Sequence, residues 1–309
     1  MRPFSCSPAG IYAWLTAIFV AALSCSPALA ASVEGQGRGG RPLEAAPCDG
    51  GVTTPPERVL MMATTTSVDA TGLLNVLADE FRRETGITLK WIAVGTGTAI
   101  KQARDGNADL IIVHAKKLED EFLKDGFGVN RRVFARNHFM IVGPPADPAH
   151  VAAASSAREA FERIRAAAFV FVSRGDKSGT HIRELDLWSL AGGKPARNYL
   201  ETGQGMAQTL QIAAERQGYT LTDTATFYGL SGLRGLDRLY ENAPELENIY
   251  SVIAVNPARI PSARYDEAMS FIAFLTSPRG QKLIGGFKGK AGRPLFEPMA
   301  AEPGVDLIK

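Results

Sequence analysis

The sequence predicts an α/β fold of two lobes, each a mainly parallel sheet flanked by helices, with two crossing strands as the hinge. Three observations carry this expectation. Short apolar runs alternate with amphipathic runs along most of the 309 residues, the pattern of strand–helix–strand crossovers. Two longer extended runs, 133–142 and 248–256, bracket the middle of the chain, as two crossings between lobes would. Three runs rich in hydroxyls and glycine fall where strands give way to helices, the place where open α/β sheets hold ligands.

The first thirty residues stand outside this frame. Arg2 is a weak positive start, 11–23 is an apolar run, and Ala28-Leu29-Ala30 is a small-x-small cleavage signal. Residues 1–30 therefore read as a secretory signal peptide and the mature protein as periplasmic. The apolar run is short for a membrane anchor, and Cys25 after Leu23-Ser24 leaves a lipid attachment open. Cys6 and Cys25 fall in the signal, so Cys48 alone remains and no intrachain disulfide is expected. Residues 31–56, glycine- and proline-rich without apolar period, read as a disordered lead-in.

The elements follow in order. Residues 58–63 (RVLMMA) form a buried strand ending in Thr64-Thr65-Thr66-Ser67. Leu73, Leu77 and Phe81 recur at helical spacing, with Gly86 as the C-cap. Residues 89–94 are a second strand, Gly95-Thr96-Gly97 opens a helix to about Arg104, 109–114 is a third strand, and 117–124 is a helix. After the extended run 133–142, Gly143-Pro144-Pro145 resets the pattern. A helix over 156–168, a strand over 169–172 and helices over 180–190, 205–217 and 222–230 follow. The second extended run leads to two helices broken at Ser277-Pro278. The expected boundaries are 57–142 and 254–309 for the first lobe and 143–253 for the second.

The three strand ends suit an anion. Helix N-termini leave N–H donors free and carry partial positive charge, small residues allow close approach, and Arg174 adds a charged fork. Each hydroxyl run alone reads equally as a helix cap, and Arg174 with Asp176 alone reads as a turn ion pair. Their convergence makes the signal. A net charge of +2 gives no reason to expect nucleic acid. There is no Walker loop, Gly-Thr-Gly does not extend to a dinucleotide fingerprint, and Arg174-Gly175-Asp176 as an adhesion tripeptide reads as chance. His114, His138, His150 and His181 have no metal-ligand spacing. Ser178 is not in a nucleophile elbow, yet its nearness to His181 keeps an exported phosphoester hydrolase as an alternative.

With these residues in view, the runs ATTTSVDATGLL, VGTGTAIKQARDGNADLIIVHA, GFGVNRRVFARNHFMIVGP and FVSRGDKSGTH together resemble the tungstate-binding proteins of ABC transporters, the TupA family. LTSPRGQKLIGGF resembles the last helix of many periplasmic binding proteins. The resemblance implies a type II-like, two-lobed periplasmic binding protein that is not an enzyme, needs no cofactor, acts as a monomer and delivers a captured oxyanion to an ABC permease. It further implies contacts from Thr65, Thr66 and Ser67, with help near Thr96, Gly97 and His114, facing Arg174, Ser178 and Thr180. Asn137-His138 departs from the Asn-Asp of the family pattern.

The choice among oxyanions turns on Asp176. Tungstate, molybdate and sulfate carry no proton at neutral pH and want donors only. Hydrogen phosphate gains from a carboxylate acceptor, so a phosphate-binding protein is the other transport reading. If Asp176 orients Arg174, tungstate or molybdate is favoured; if it faces the ligand, phosphate is.

Overall fold

The computed structural model describes residues 57–230, 233–241, 243–290 and 292–300. The expected signal peptide, the lead-in and all three cysteines, Cys6, Cys25 and Cys48, lie outside them. No helix of the described residues is long and apolar enough to cross a membrane.

The first sheet is built from β1 (Arg58–Thr65), β2 (Ile87–Val94), β3 (Leu110–Val113), β4 (Gly128–Gly143), β9 (Glu247–Val255) and β10 (Glu297–Pro298). Its order is β10-β4-β9-β3-β1-β2. β1 pairs in parallel with β2 and with β3. The returning strand β9 pairs antiparallel to β3 and to the first part of β4. Helix α2 (Leu73–Thr85) buries Leu73, Leu77 and Phe81 and ends at Gly86 with φ 70°, a left-handed cap that glycine adopts without steric cost. With α9 (Tyr265–Thr276) and α10 (Pro278–Gly286) it covers one face of the sheet. Ser277 closes α9 and caps α10 by accepting from Gly280 N–H, with Pro278 at the first helical position. The other face is covered by α3 (Thr96–Arg104) and α4 (Lys116–Lys124). A short α1 (Thr66–Ala70), absent from the sequence reading, turns the chain off β1.

The second lobe uses the end of β4. Residues Phe139 to Val142 pair antiparallel with β7 (Thr220–Asp223), and β8 (Asp237–Tyr240) lies on the other side. The parallel pair β5 (Phe171–Ser173) and β6 (Tyr199–Glu201) joins β7 through a bridge between Phe171 and Tyr219. Helices α5 (Ala157–Ala167) and α6 (Gly179–Leu190) pack on one face around Phe161, Phe171 and Trp188. Helix α7 (Met206–Glu215) covers the other. The sequence predicts a helix over 222–230. The chain instead finishes β7 through Asp223, which caps α8 (Thr224–Gly229) by accepting from Thr226 N–H at 2.8 Å.

β4 changes partners in mid-strand. His138 faces Glu247 of β9, and the next residue, Phe139, faces Asp223 of β7. The change falls four residues before the boundary expected at 142/143, and β9 pairs wholly within the first sheet. Extended character is visible in sequence, but the partner of each residue is not. The architecture is nonetheless the expected one, two α/β lobes joined by crossing strands, with antiparallel pairing confined to the hinge strands and the edges.

Candidate functional site

Residues of both lobes meet at the ends of β1, β3 and β5 and the starts of α3 and α6. In the first lobe Thr65 caps α1, its Oγ1 accepting from Val68 N–H, and its hydroxyl lies 3.1 Å from Ser67 Oγ. Ser67 Oγ is 3.2 Å from His114 Nε2, and His114 Nδ1 is 2.9 Å from Asn248 Oδ1. In the second lobe Arg174 is 1% exposed at the end of β5. Its Nη2 donates to Asp176 Oδ2 and, at 3.3 Å, to Thr66 Oγ1 of the opposite lobe.

The turn between Arg174 and α6 is held on several sides. Asp176 Oδ1 accepts from Ser178 N–H at 3.1 Å, and His181 Nδ1 accepts from Lys177 N–H at 2.9 Å. Ser178 caps α6 by accepting from His181 N–H. Gly175 has φ 63°, and a Cβ there would stand 2.8 Å from that of Glu201. Gly179 brings the lobes together: a Cβ on it would lie 2.7 Å from His114 Cε1. A second close approach sets Gly95, the N-cap of α3, against the Asp176 carbonyl.

Around this meeting point several buried donors have no protein partner. They are Thr96 Oγ1, Thr180 Oγ1, and Arg174 Nε and Nη1. Thr96 is fully buried and Thr180 1% exposed. Buried hydroxyls and guanidinium N–H groups without partners are costly, and they come from three different elements. A small tetrahedral acceptor with four oxygens fits that donor set. Of the expected residues, Thr65, Thr66, Ser67, Thr96, His114, Arg174, Ser178 and Thr180 are brought together. Gly97 is exposed and lines a cleft of about 290 Å³ with Lys101, Asp176 and Lys177.

The hydrolase alternative loses its geometry. Ser178 Oγ is engaged by a backbone N–H and the His181 ring by Lys177 N–H, so no ring-to-hydroxyl bond activates Ser178 among the described residues. A larger cavity of about 520 Å³ near β10 holds none of the expected residues; two of its arginines face acids, Arg136 on Glu297 and Arg238 on Glu241, and Arg293 lies over the Tyr228 ring.

Sequence reasoning missed the residues behind the first layer. Asn248 is 1% and Asn137 3% exposed. Asn248 Nδ2 donates to Asn137 Oδ1 at 2.7 Å and to Tyr250 OH at 2.8 Å, and Asn137 Nδ2 donates to Asp223 Oδ1 at 3.4 Å. Burial lowers His114 to about 4 against the pull of Asp223 and the Asn248 bond, so the free ring is neutral at pH 7. Behind Arg174, Glu184 is 2% exposed and accepts from Ser173 Oγ (2.8 Å), Tyr199 OH (2.6 Å) and Trp188 Nε1 (3.2 Å). Burial pushes it up to about 7. The only sequence signal for these groups was polar residues inside apolar strands and on the inner side of α6.

Comparison with known proteins identifies the family. A family model described as a PBP superfamily domain matches residues 50–279. The tungstate ABC transporter structure from Geobacter sulfurreducens is 46% identical, over 74% of this chain and 98% of that one, with a TM-score of 0.68. The tungstate-binding protein TupA from Desulfovibrio alaskensis G20 is 45% identical, over 78% and 99%, with a TM-score of 0.69. The tungstate-binding protein TupA of Peptoclostridium acidaminophilum is 40% identical over 247 residues, 79% of this chain and 86% of that protein. The chain belongs to the TupA family of periplasmic binding proteins. The coverage makes the family assignment one of the whole two-lobed body, and the paired-lobe clamp lies within the matched region. As in that family, the body is a substrate-binding component of ABC transport.

Proposed function

We propose that this TupA-family protein captures tungstate between its lobes and delivers it to an ABC importer. The observation that carries the reading is the set of buried, unpartnered donors on Thr96, Thr180 and Arg174. Asp176 decides the class of oxyanion. Both its oxygens are engaged, one by Arg174 and one by Ser178 N–H, so it orients the clamp and is a poorer acceptor for the proton of hydrogen phosphate. That supports tungstate or molybdate over phosphate. Thr66, Thr96, Arg174 and Thr180 are the proposed first contacts, with the N-terminal N–H groups of α3 and α6 behind them. Thr65, Ser67, His114 and Ser178 complete the wall, with Gly97 at the rim.

The protein acts by binding and closure, without turnover and without a cofactor. It works as a periplasmic monomer after removal of the signal peptide. The experiment is a melting curve of protein stripped of anion, with tungstate, molybdate, sulfate and phosphate added separately. A rise with tungstate, equal or smaller with molybdate and absent with phosphate, is expected. At a hundredfold excess over the dissociation constant the gain is about 2.7 kcal/mol. A rise with phosphate alone would overturn the tungstate reading.

A further inference from the structure

The polar side chains behind the clamp form one directed chain. Asp223 Oδ1 accepts from Asn137 Nδ2. That bond fixes the Asn137 amide, leaving its Oδ1 to accept from Asn248 Nδ2. Asn248 Oδ1 is then the acceptor facing His114, so the ring carries its proton on Nδ1. Nε2 is left as a lone pair, and the Ser67 hydroxyl donates to it. Thr65 in turn donates to Ser67. Every donor points away from the clamp, and the members polarise one another in the same sense.

This arrangement conflicts with a dianion. Ser67 and His114 Nε2 offer lone pairs where negative charge is to arrive. Arg174 brings one positive charge, and Asp176 answers it. A buried dianion needs compensating charge or donors. One proton on Nε2 resolves both difficulties, because the ring becomes a donor to Ser67 and frees the Ser67 hydroxyl.

We propose that tungstate capture takes up one proton at His114 Nε2, turning Ser67 from a donor to the ring into a donor to the oxyanion, with Asn248, Asn137 and Asp223 as positioning residues that keep Nε2 the atom to be protonated. The proposal rests on the oxyanion reading of the clamp. The proton comes from solvent, and no bond of the oxyanion forms or breaks. A cavity of about 270 Å³, lined by His114, Gly179 and Asn248, gives water a route to the ring. Charged groups from several elements lie near the ring or line the cavity beside it. Arg174 and Asp176 lie on the turn before α6, and Asp223 at the end of β7. Lys116 and Lys117 of α4, Arg183 and Asp186 of α6 and Glu247 of β9 line the same cavity, while Tyr250 packs on the ring at 4.9 Å. In the free protein burial and Arg174 hold the ring neutral against Asp223. An arriving dianion reverses that balance.

The test is calorimetric titration of anion-stripped protein with sodium tungstate, in two buffers of different ionisation enthalpy, between about pH 7 and 9, where the ligand carries no proton. About one proton taken up per tungstate is expected, with affinity falling up to about tenfold per pH unit as pH rises above the pKa of the complex. His114→Gln, a neutral donor to Ser67, should bind tungstate more weakly than the parent, and its binding should come without uptake and with no pH dependence. If that variant does not fold, Asn248→Asp serves instead, because a carboxylate on Nδ1 holds the ring protonated beforehand and lowers the uptake. Binding by the parent without proton uptake would overturn the proposal, as would undiminished uptake in the variants. In ligand-free protein, ¹⁵N histidine spectra should show the His114 proton on Nδ1; a proton on Nε2 would sink the relay. Failure of the parent to bind tungstate in any buffer would instead count against the proposed function.

Discussion

At the scale of single residues the proposed clamp sets stability against affinity. Thr96 and Thr180 bury hydroxyls that have no protein partner, at a cost of about 1–3 kcal/mol each. Thr96→Val and Thr180→Val keep the shape and remove the hydroxyl. Each should raise the melting temperature of the ligand-free protein and weaken tungstate binding about tenfold, the loss of roughly one hydrogen bond to a charged ligand. Unchanged affinity in both would remove them from the site. Arg174→Ala takes away the buried fork and should cost about a hundredfold in affinity. The free His114 ring has its own signature. Its folded value lies near 4, below the ordinary 6.5, so its contribution to stability is present above about 6.5 and is lost as pH falls toward 4. The first layer of this site was legible in sequence because hydroxyls, glycines and one arginine gather at strand ends. The Asn248–Asn137–Asp223 layer was not, because its members lie on three strands and only the register of β4 with β9 and β7 joins them.

At the scale of elements, α6 is the part whose placement the site most depends on. Its N-terminus carries Ser178 and Thr180, and its interior carries Glu184, which ties it to Ser173 on β5 and Tyr199 on β6. Glu184 is a carboxyl raised from 4.5 to about 7. Its stabilising contribution is therefore full below about 4.5 and declines as pH climbs to about 7. Glu184→Gln should flatten that part of the melting profile; an identical slope in the variant would assign it to another group. Gly179→Ala puts a methyl against the His114 ring. It should weaken tungstate binding by keeping the lobes apart and, because the same approach is made without ligand, lower the ligand-free melting temperature as well. Helical period and capping signals made α2, α3, α9 and α10 readable. β6 and β8 escaped because three- and four-residue strands carry too little pattern, and the start of 222–230 was misread because Thr220 to Asp223 complete a strand first.

At the scale of the whole molecule, the described residues form one compact unit that β4 threads from one sheet into the other. The lobes should therefore melt together in a single calorimetric transition that tungstate moves upward as one peak. Two separated peaks, of which only one responds, would show that the hinge does not couple them. The late position of β9 bears on how the chain reaches its destination. β3 has β1 on one side and, on the other, a strand that arrives only after the entire second lobe has been made. Until residues 247–255 emerge from the ribosome, the first sheet lacks its central strand, and the longest contacts of the fold cannot form. The first lobe of a nascent chain built this way stays open until synthesis is nearly complete.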